Sequence, residues 1–162
     1  EQKVELMKEN LTRLGLTNMQ ITCQDALVLD EEMLEKADVV IADLPCSGLG
    51  VIGKKSDIKY RMTPQTQQEL ADLQRQILSV IWRYIKPGGY LLYSTCTINP
   101  MENEENRDYI LKELPFEAAS LDAYLPTALL SDTTKEGYLQ LLPGIHECDG
   151  FFIAKFKKVK HG

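Results

Sequence analysis

The amino-acid sequence predicts an α/β domain built on a doubly wound, mostly parallel sheet with an antiparallel edge. Two observations carry this. The short apolar runs Asp38–Asp43 and Gly89–Thr95 flank a long segment with one apolar face, which reads as a strand–helix–strand unit. The last third of the chain then gives three strand-like stretches, around 116–121, 138–142 and 150–157.

Taken in order, Val4, Met7, Leu11 and Leu14 recur at helical spacing, and Gly15 can cap that helix. A helix is an unusual first element for an α/β domain. A short strand is expected at Met19–Cys23, ending at Asp25, and Asp30 can cap a short helix to about Lys36. Asp38–Asp43 is β-branched and aliphatic with an acid at either end, the pattern of a buried parallel strand. After a long loop, Thr63-Pro64 supplies a cap and a first-turn proline. Leu70, Leu73, Ile77, Val80, Ile81 and Tyr84 give the helix that follows its apolar face. Pro87-Gly88-Gly89 is a turn that stops it, and Gly89–Thr95 is the second buried strand. Asn99-Pro100-Met101-Glu102 reads as a capping box opening a helix to about Leu114.

At 162 residues the chain is long enough for one core, and 44 % hydrophobic with 26 % charged residues is ordinary for a soluble globular protein. No apolar run approaches the length of a bilayer span, and Glu1-Gln2-Lys3 opens neither a signal nor a transit peptide. The four cysteines, 23, 46, 96 and 148, form no CxxC pair and have no histidine at zinc spacing. A reduced, cytoplasmic protein without disulfides or metal is therefore expected. The net charge of −6 argues against nucleic-acid binding by the whole surface. Two basic clusters stand out locally: Lys54, Lys55, Lys59 and Arg61 against Asp57, and Lys155, Lys157, Lys158 and Lys160. On their own they read as a solvated loop and a solubilising tail.

Gly48, Gly50 and Gly53 fit the G-x-G-x-x-G dinucleotide fingerprint, and Gly48 to Lys54 nearly fits a P-loop. Both motifs need a helix opening directly from the glycines to present its N-terminus to phosphate. The sequence continues instead as KKSDIKYRMTP, without a helix start before Thr63, and Lys55 stands where a P-loop has Ser or Thr. Both readings are rejected.

Asp43-Leu44-Pro45-Cys46-Ser47-Gly48 lies just past one predicted strand, and Ser94-Thr95-Cys96-Thr97 closes the next. Ligands of open parallel sheets bind outside the carboxyl ends of the strands. Cys46 and Cys96 can therefore face one site. A lone cysteine is most often a small buried hydrophobe, but two at equivalent strand ends, one beside Asp and Pro, point to chemistry.

DLPCSGLG resembles the Asp-X-Pro-Cys motif of RNA 5-methylcytosine methyltransferases, and YSTCT resembles their second cysteine motif. SDIKYR, NPMENE and LPGIHECDGFF agree with the same family, of the bacterial Sun/Fmu (RsmB) type that modifies small-subunit ribosomal RNA. The resemblance covers essentially the whole chain. Ser56 departs from it, standing where proline is expected before Asp57-Ile58-Lys59.

The resemblance implies a Rossmann-like class I methyltransferase sheet with its first two strands missing, so that residues 1–162 form the C-terminal part of an S-adenosylmethionine-dependent catalytic domain. Transfer of a methyl group to carbon 5 of a cytosine in ribosomal RNA is the implied reaction, and the isolated piece is expected to be inactive. The implied nucleophile is Cys96, with Cys46 assisting release. Asp43 would hold the N3/N4 edge of the base and sit near the cofactor, and Asp25 would accept from the adenine amino group. In this setting Lys54, Lys55, Lys59 and Arg61 are expected to meet RNA phosphates. Cys23 and Cys148 are expected to be structural or incidental, and Trp82 a half-buried helix residue. A DNA cytosine-5 methyltransferase, which takes its nucleophile from the Pro-Cys motif, is disfavoured by the second cysteine motif. A degenerate RNA- or protein-binding module is disfavoured by the intact Asp43, Cys46 and Cys96.

Overall fold

The computed structural model describes residues 2–55 and 57–160, and the side chains of all of these but 2 and 59. Helix α1 (Gln2–Leu14) leads to β1 (Ala37–Asp43), the short α2 (Ile58–Arg61) and the long α3 (Pro64–Ile81). Strand β2 (Ile85–Thr95), α4 (Glu104–Glu113), β3 (Phe116–Ala118), α5 (Asp132–Lys135), β4 (Tyr138–Leu141) and β5 (Phe151–Lys158) complete it.

The expected α/β class is observed. Strands β1 and β2 pair in parallel across α3, with Asp43 opposite Ser94. Strand β5 lies antiparallel to β2, and its other edge is shared by β3 near Phe156–Lys158 and β4 near Phe151–Ala154. The antiparallel part is thus a whole flank of the sheet. Gly137, at φ +85°, makes the junction between β3 and β4. A Cβ there would lie 2.8 Å from the Ala119 carbonyl, so only glycine fits.

Helices α3 and α4 pack on one sheet face, where Leu78, Leu91, Tyr93, Ile110, Phe116, Phe152, Ala154 and Phe156 form the core. Tyr93 and Phe152 meet edge-on at 6.2 Å, as do Phe116 and Phe156 at 6.3 Å. The other face is only partly covered. Val39, Tyr90, Leu92 and Ile153 line an apolar recess of about 400 Å³ beneath Leu121, Tyr124 and Leu125.

Several sequence expectations need correction. Strand β1 is buried on one face only: Ala42 is 2 % exposed but Ile41 is 70 % exposed. Residues 19–23 are not a strand, because no strand lies beside them in the sheet of the described residues to complete a ladder. Helix α1 is present and closes on Gly15 at φ +64°, yet Leu6, Met7 and Leu14 stay exposed. Asp30 does cap a turn, accepting from Glu32, but the 3-10 helix it opens ends at Met33.

Thr63 caps α3 as expected, while the buried face rotates onto Ala71, Gln74, Ile77 and Leu78. Pro87-Gly88-Gly89 does not stop that helix. Helix α3 ends at Ile81, a 3-10 turn holds the half-buried Trp82, and the Pro-Gly-Gly segment lies inside β2 as an irregularity with Gly88 at φ +83°. Helix α4 starts at Glu104 rather than after Asn99. Asn99 Oδ1 accepts the Met101 amide, and Glu102 turns inward instead of closing a capping box. The C-terminal basic cluster is no solubilising tail. Lys158 is 4 % exposed, donates to the Ile85 carbonyl at 2.7 Å and pairs with Glu35, while Lys155 lies over the Tyr90 and Tyr124 rings.

Candidate active site

Parallel pairing of β1 with β2 places both carboxyl ends side by side, and the loops that leave them carry the two cysteine motifs. Cys46 Sγ and Cys96 Sγ lie 3.3 Å apart, each half-buried. Asp43, at the end of β1, is exposed, with Oδ1 accepting the Ser94 hydroxyl at 3.4 Å. Three of the expected residues, Asp43, Cys46 and Cys96, are therefore brought to one place.

The cysteine loops are fastened to each other at the residues that follow the thiols. Ser47 and Thr97 share a buried hydroxyl–hydroxyl hydrogen bond of 2.7 Å. The Gly50 amide donates to the Cys96 carbonyl at 3.1 Å, and the Gly150 amide donates to the Gly50 carbonyl at 2.8 Å. A Cβ on Gly50 would sit 2.3 Å from the Gly150 carbonyl oxygen, so this crossing of two chains requires glycine. The glycine run that imitates a nucleotide fingerprint has a different cause: Gly48 turns the chain at φ +69°, and Gly50 permits the crossing. Ile58–Arg61 does form a helix before Thr63, but it is one turn long and opens from Asp57, not from the glycines.

A buried polar layer supports the loops from beneath, and sequence reading did not identify it. Glu102 is fully buried and accepts from the Ser47 amide at 2.9 Å, from Gln74 Nε2 at 3.0 Å and from Asn99 Nδ2 at 3.0 Å. Gln74 Nε2 also donates to the Pro45 carbonyl at 2.8 Å, so residues on both sides of Cys46 are held. Tyr93, whose phenol is pushed above its usual range by burial, donates to the Glu102 carbonyl and to Gln74 Oε1. Asn103 links Thr95, the Thr97 carbonyl and Gln140 beneath the other loop. The signal was available: Gln74 interrupts an apolar helical face, and Asn99, Glu102, Asn103 and Asn106 recur at helical spacing in one polar stripe.

Burial raises the Cys46 thiol to about 12, aided by its hydrogen bond to Cys96 and by that group's charge. The Gly48 and Cys96 amides pull weakly the other way. At neutral pH Cys46 is thus held as a thiol beside Cys96, which disfavours it as the nucleophile.

The remaining expected residues are less closely placed. Asp25 is exposed in a turn, its Oδ1 accepting the Leu27 amide at 2.9 Å, and no hydrogen bond of the described residues ties it to the end of β1. Lys54 is ion-paired with Asp149 at 2.6 Å, which raises its pKa, and Arg61 pairs with Asp57. Lys55 is exposed, while the Lys59 side chain and Ser56 lie outside the described residues. Cys23 and Cys148 are exposed free thiols. No metal-binding cluster occurs among the described residues, and none of their helices is long and apolar enough to cross a membrane.

The sheet with its paired strand ends is the fold of Rossmann-like methyltransferases. The chain belongs to the 16S rRNA methyltransferase RsmB/F family, whose model matches residues 1–157. A ribosomal RNA small subunit methyltransferase F from Cronobacter sakazakii is 37 % identical over 158 residues, covering 96 % of this chain and 33 % of that protein. The crystal structure of PH0851 superimposes with a TM-score of 0.86 at 32 % identity, covering 98 % of this chain and 35 % of the other. NSun6 from Pyrococcus horikoshii, solved with SFG, gives a TM-score of 0.78 at 25 % identity over 99 % of this chain and 40 % of its own. The chain therefore spans about a third of the length of the curated relatives it matches.

Proposed function

We propose that this chain carries the cysteine machinery of a ribosomal RNA cytosine-5 methyltransferase, with Cys96 as nucleophile and Cys46 as the group that assists release. The observation that carries the reading is the 3.3 Å approach of the two sulfurs at adjacent parallel strand ends, beside the exposed Asp43 carboxylate. Carbon 5 of cytosine is too weak a nucleophile to accept a methyl group directly. Addition of the Cys96 thiolate to carbon 6 forms a C–S bond and makes carbon 5 enamine-like. Asp43 holds the N3/N4 edge and favours the protonation at N3 that balances this addition. After transfer, loss of the carbon-5 proton lets the C–S bond break and returns the electron pair to sulfur. Cys46, a thiol in contact with Cys96, is placed to hydrogen-bond the departing sulfur and ease its release.

Asp43 fits a ligand that offers N–H or O–H donors, since its carboxylate is exposed and has one weak partner. The second cofactor residue in this reading is Asp25, whose carboxylate keeps Oδ2 available beyond its own turn. S-adenosylmethionine supplies the methyl group when bound, and the SFG in NSun6 is an analogue of it. With only two of its residues assigned to the cofactor, the 162-residue chain alone is expected to be inactive. Lys54, Lys55, Lys59 and Arg61 are assigned to RNA phosphates, with Lys54 exchanging Asp149 for phosphate on binding. A ribosomal RNA substrate accords with a cytoplasmic protein, and the target base must leave its stack to reach Cys96.

The test is nucleoside analysis of small-subunit RNA incubated with S-adenosylmethionine and a full-length protein carrying this sequence. The reading requires 5-methylcytidine, lost on Cys96→Ala. Methylation at another atom, or none, overturns it.

A further inference from the structure

We propose that Cys46 and Cys96 form an oxidative modification site, at which peroxide joins the two sulfurs in a reversible intramolecular disulfide. The sulfurs lie 3.3 Å apart as free thiols, in direct contact, and a disulfide would draw them to roughly 2.05 Å. Their proximity is built in rather than incidental. The loops that carry them are joined by Ser47 to Thr97, by the Gly50 amide to the Cys96 carbonyl, and through Glu102 and Gln74 beneath Cys46. Both residues are half-buried rather than enclosed in the core.

The chemistry divides between the two sulfurs. The Cys96 thiol gives up its proton and attacks one peroxide oxygen, breaking the O–O bond to leave a sulfenic acid at Cys96 and a hydroxide that takes up that proton as water. The Cys46 sulfur then attacks the Cys96 sulfur. The S–S bond forms, the sulfenic hydroxyl leaves, and the Cys46 proton neutralises the hydroxide. Two thiols and one peroxide become one disulfide and two waters, with both cysteines oxidised and the peroxide reduced. Burial and Cys96 disfavour the Cys46 thiolate, so the first attack falls to Cys96, and the 3.3 Å contact gives Cys46 the second, resolving step. A resolving thiol in contact also intercepts the sulfenic acid before a further peroxide can convert it irreversibly to sulfinic acid.

The cross-link itself is independent of what the protein does. Its consequence rests on the function proposed above: the disulfide withdraws nucleophile and release group together, so methylation would stop under peroxide and resume on reduction.

The experiment treats a reduced full-length protein that carries this sequence with hydrogen peroxide near stoichiometry, blocks remaining thiols with N-ethylmaleimide and maps the peptides of this sequence without reduction. The expected result is a peptide linking residues 46 and 96, two hydrogens lighter than the sum. Two of the four cysteines should lose alkylation, and dithiothreitol should restore both. A Cys46→Ser chain should give no link and leave a Cys96 sulfenic acid that dimedone captures. Four alkylatable thiols after peroxide, a sulfinic acid at Cys96 in the unsubstituted chain, or links through Cys23 or Cys148 would overturn the proposal. The readout is peptide mass, so such failure leaves the methyltransferase reading untouched. Absence of 5-methylcytidine under reducing conditions counts against that reading alone.

Discussion

Ser47 and Thr97, the residues that immediately follow the two site cysteines, share a buried hydroxyl–hydroxyl hydrogen bond of 2.7 Å. This bond ties together two loops that leave different strands, beside the Gly50 amide's bond to the Cys96 carbonyl. Replacing Ser47 by Ala or Thr97 by Val should cost about 1 kcal/mol, with more if the remaining hydroxyl finds no partner. Urea denaturation measures that cost. Wild-type yield of the peroxide-induced Cys46–Cys96 link in either variant would show that the bond does not set the spacing.

Glu102 is the larger strut. Glu102→Ala leaves the Ser47 amide, Gln74 and Asn99 without their shared acceptor, at about 1–3 kcal/mol for each donor that stays buried and unpaired. Glu102→Gln keeps the shape but sets an amide N–H against a donor, so an intermediate loss is expected. Equal stability of Ala and Gln variants in thermal unfolding would contradict the acceptor role.

Gly50 should tolerate no side chain. Gly50→Ala brings a Cβ to 2.3 Å from the Gly150 carbonyl oxygen, and since the backbone fixes both atoms, neither can swing away. Overpacking of this kind costs about 1–3 kcal/mol. The expected signature is a lower denaturation midpoint together with faster alkylation of Cys46 and Cys96.

Cys46 should alkylate slowly at neutral pH and faster as pH rises from its ordinary 9.0 towards about 12, because burial and Cys96 disfavour its thiolate. The sign for stability follows. The folded state holds this proton more tightly than the unfolded state, so the contribution is present below pH 9 and is lost as pH rises towards 12. Two of the three raising causes are Cys96 itself, so Cys96→Ala should move the Cys46 alkylation profile to lower pH. An unchanged profile would assign the whole shift to burial.

The strand–helix–strand unit and its two cysteine ends were legible because they rest on local signals: β-branched runs, the Thr63-Pro64 cap, and thiols just past the strands. What sequence reading missed depends on neighbours. Residues 19–23 look like a strand but have none beside them among the described residues. Ile41 has the composition of a buried strand residue, yet α3 covers only the opposite face of β1. Glu102 obeyed the capping-box pattern until its partners, Ser47 and Gln74, proved to come from elsewhere in the chain. Lys155 and Lys158 are basic on paper, but β5 carries them into aromatic and carbonyl contacts.

The division of labour between the two sulfurs is tested most directly by covalent trapping on RNA, in a full-length protein that carries this sequence. Cys46→Ala, Cys96→Ala and the double variant are incubated with labelled small-subunit RNA and S-adenosylmethionine under reducing conditions, then run on a denaturing gel. Loss of Cys46 removes only the assistance to release, so a protein–RNA band should accumulate in that variant alone. It should vanish when Cys96 is also replaced, because the adduct is bonded to that sulfur. A stable band with Cys96→Ala would contradict the account, making Cys46 the nucleophile and Cys96 its helper.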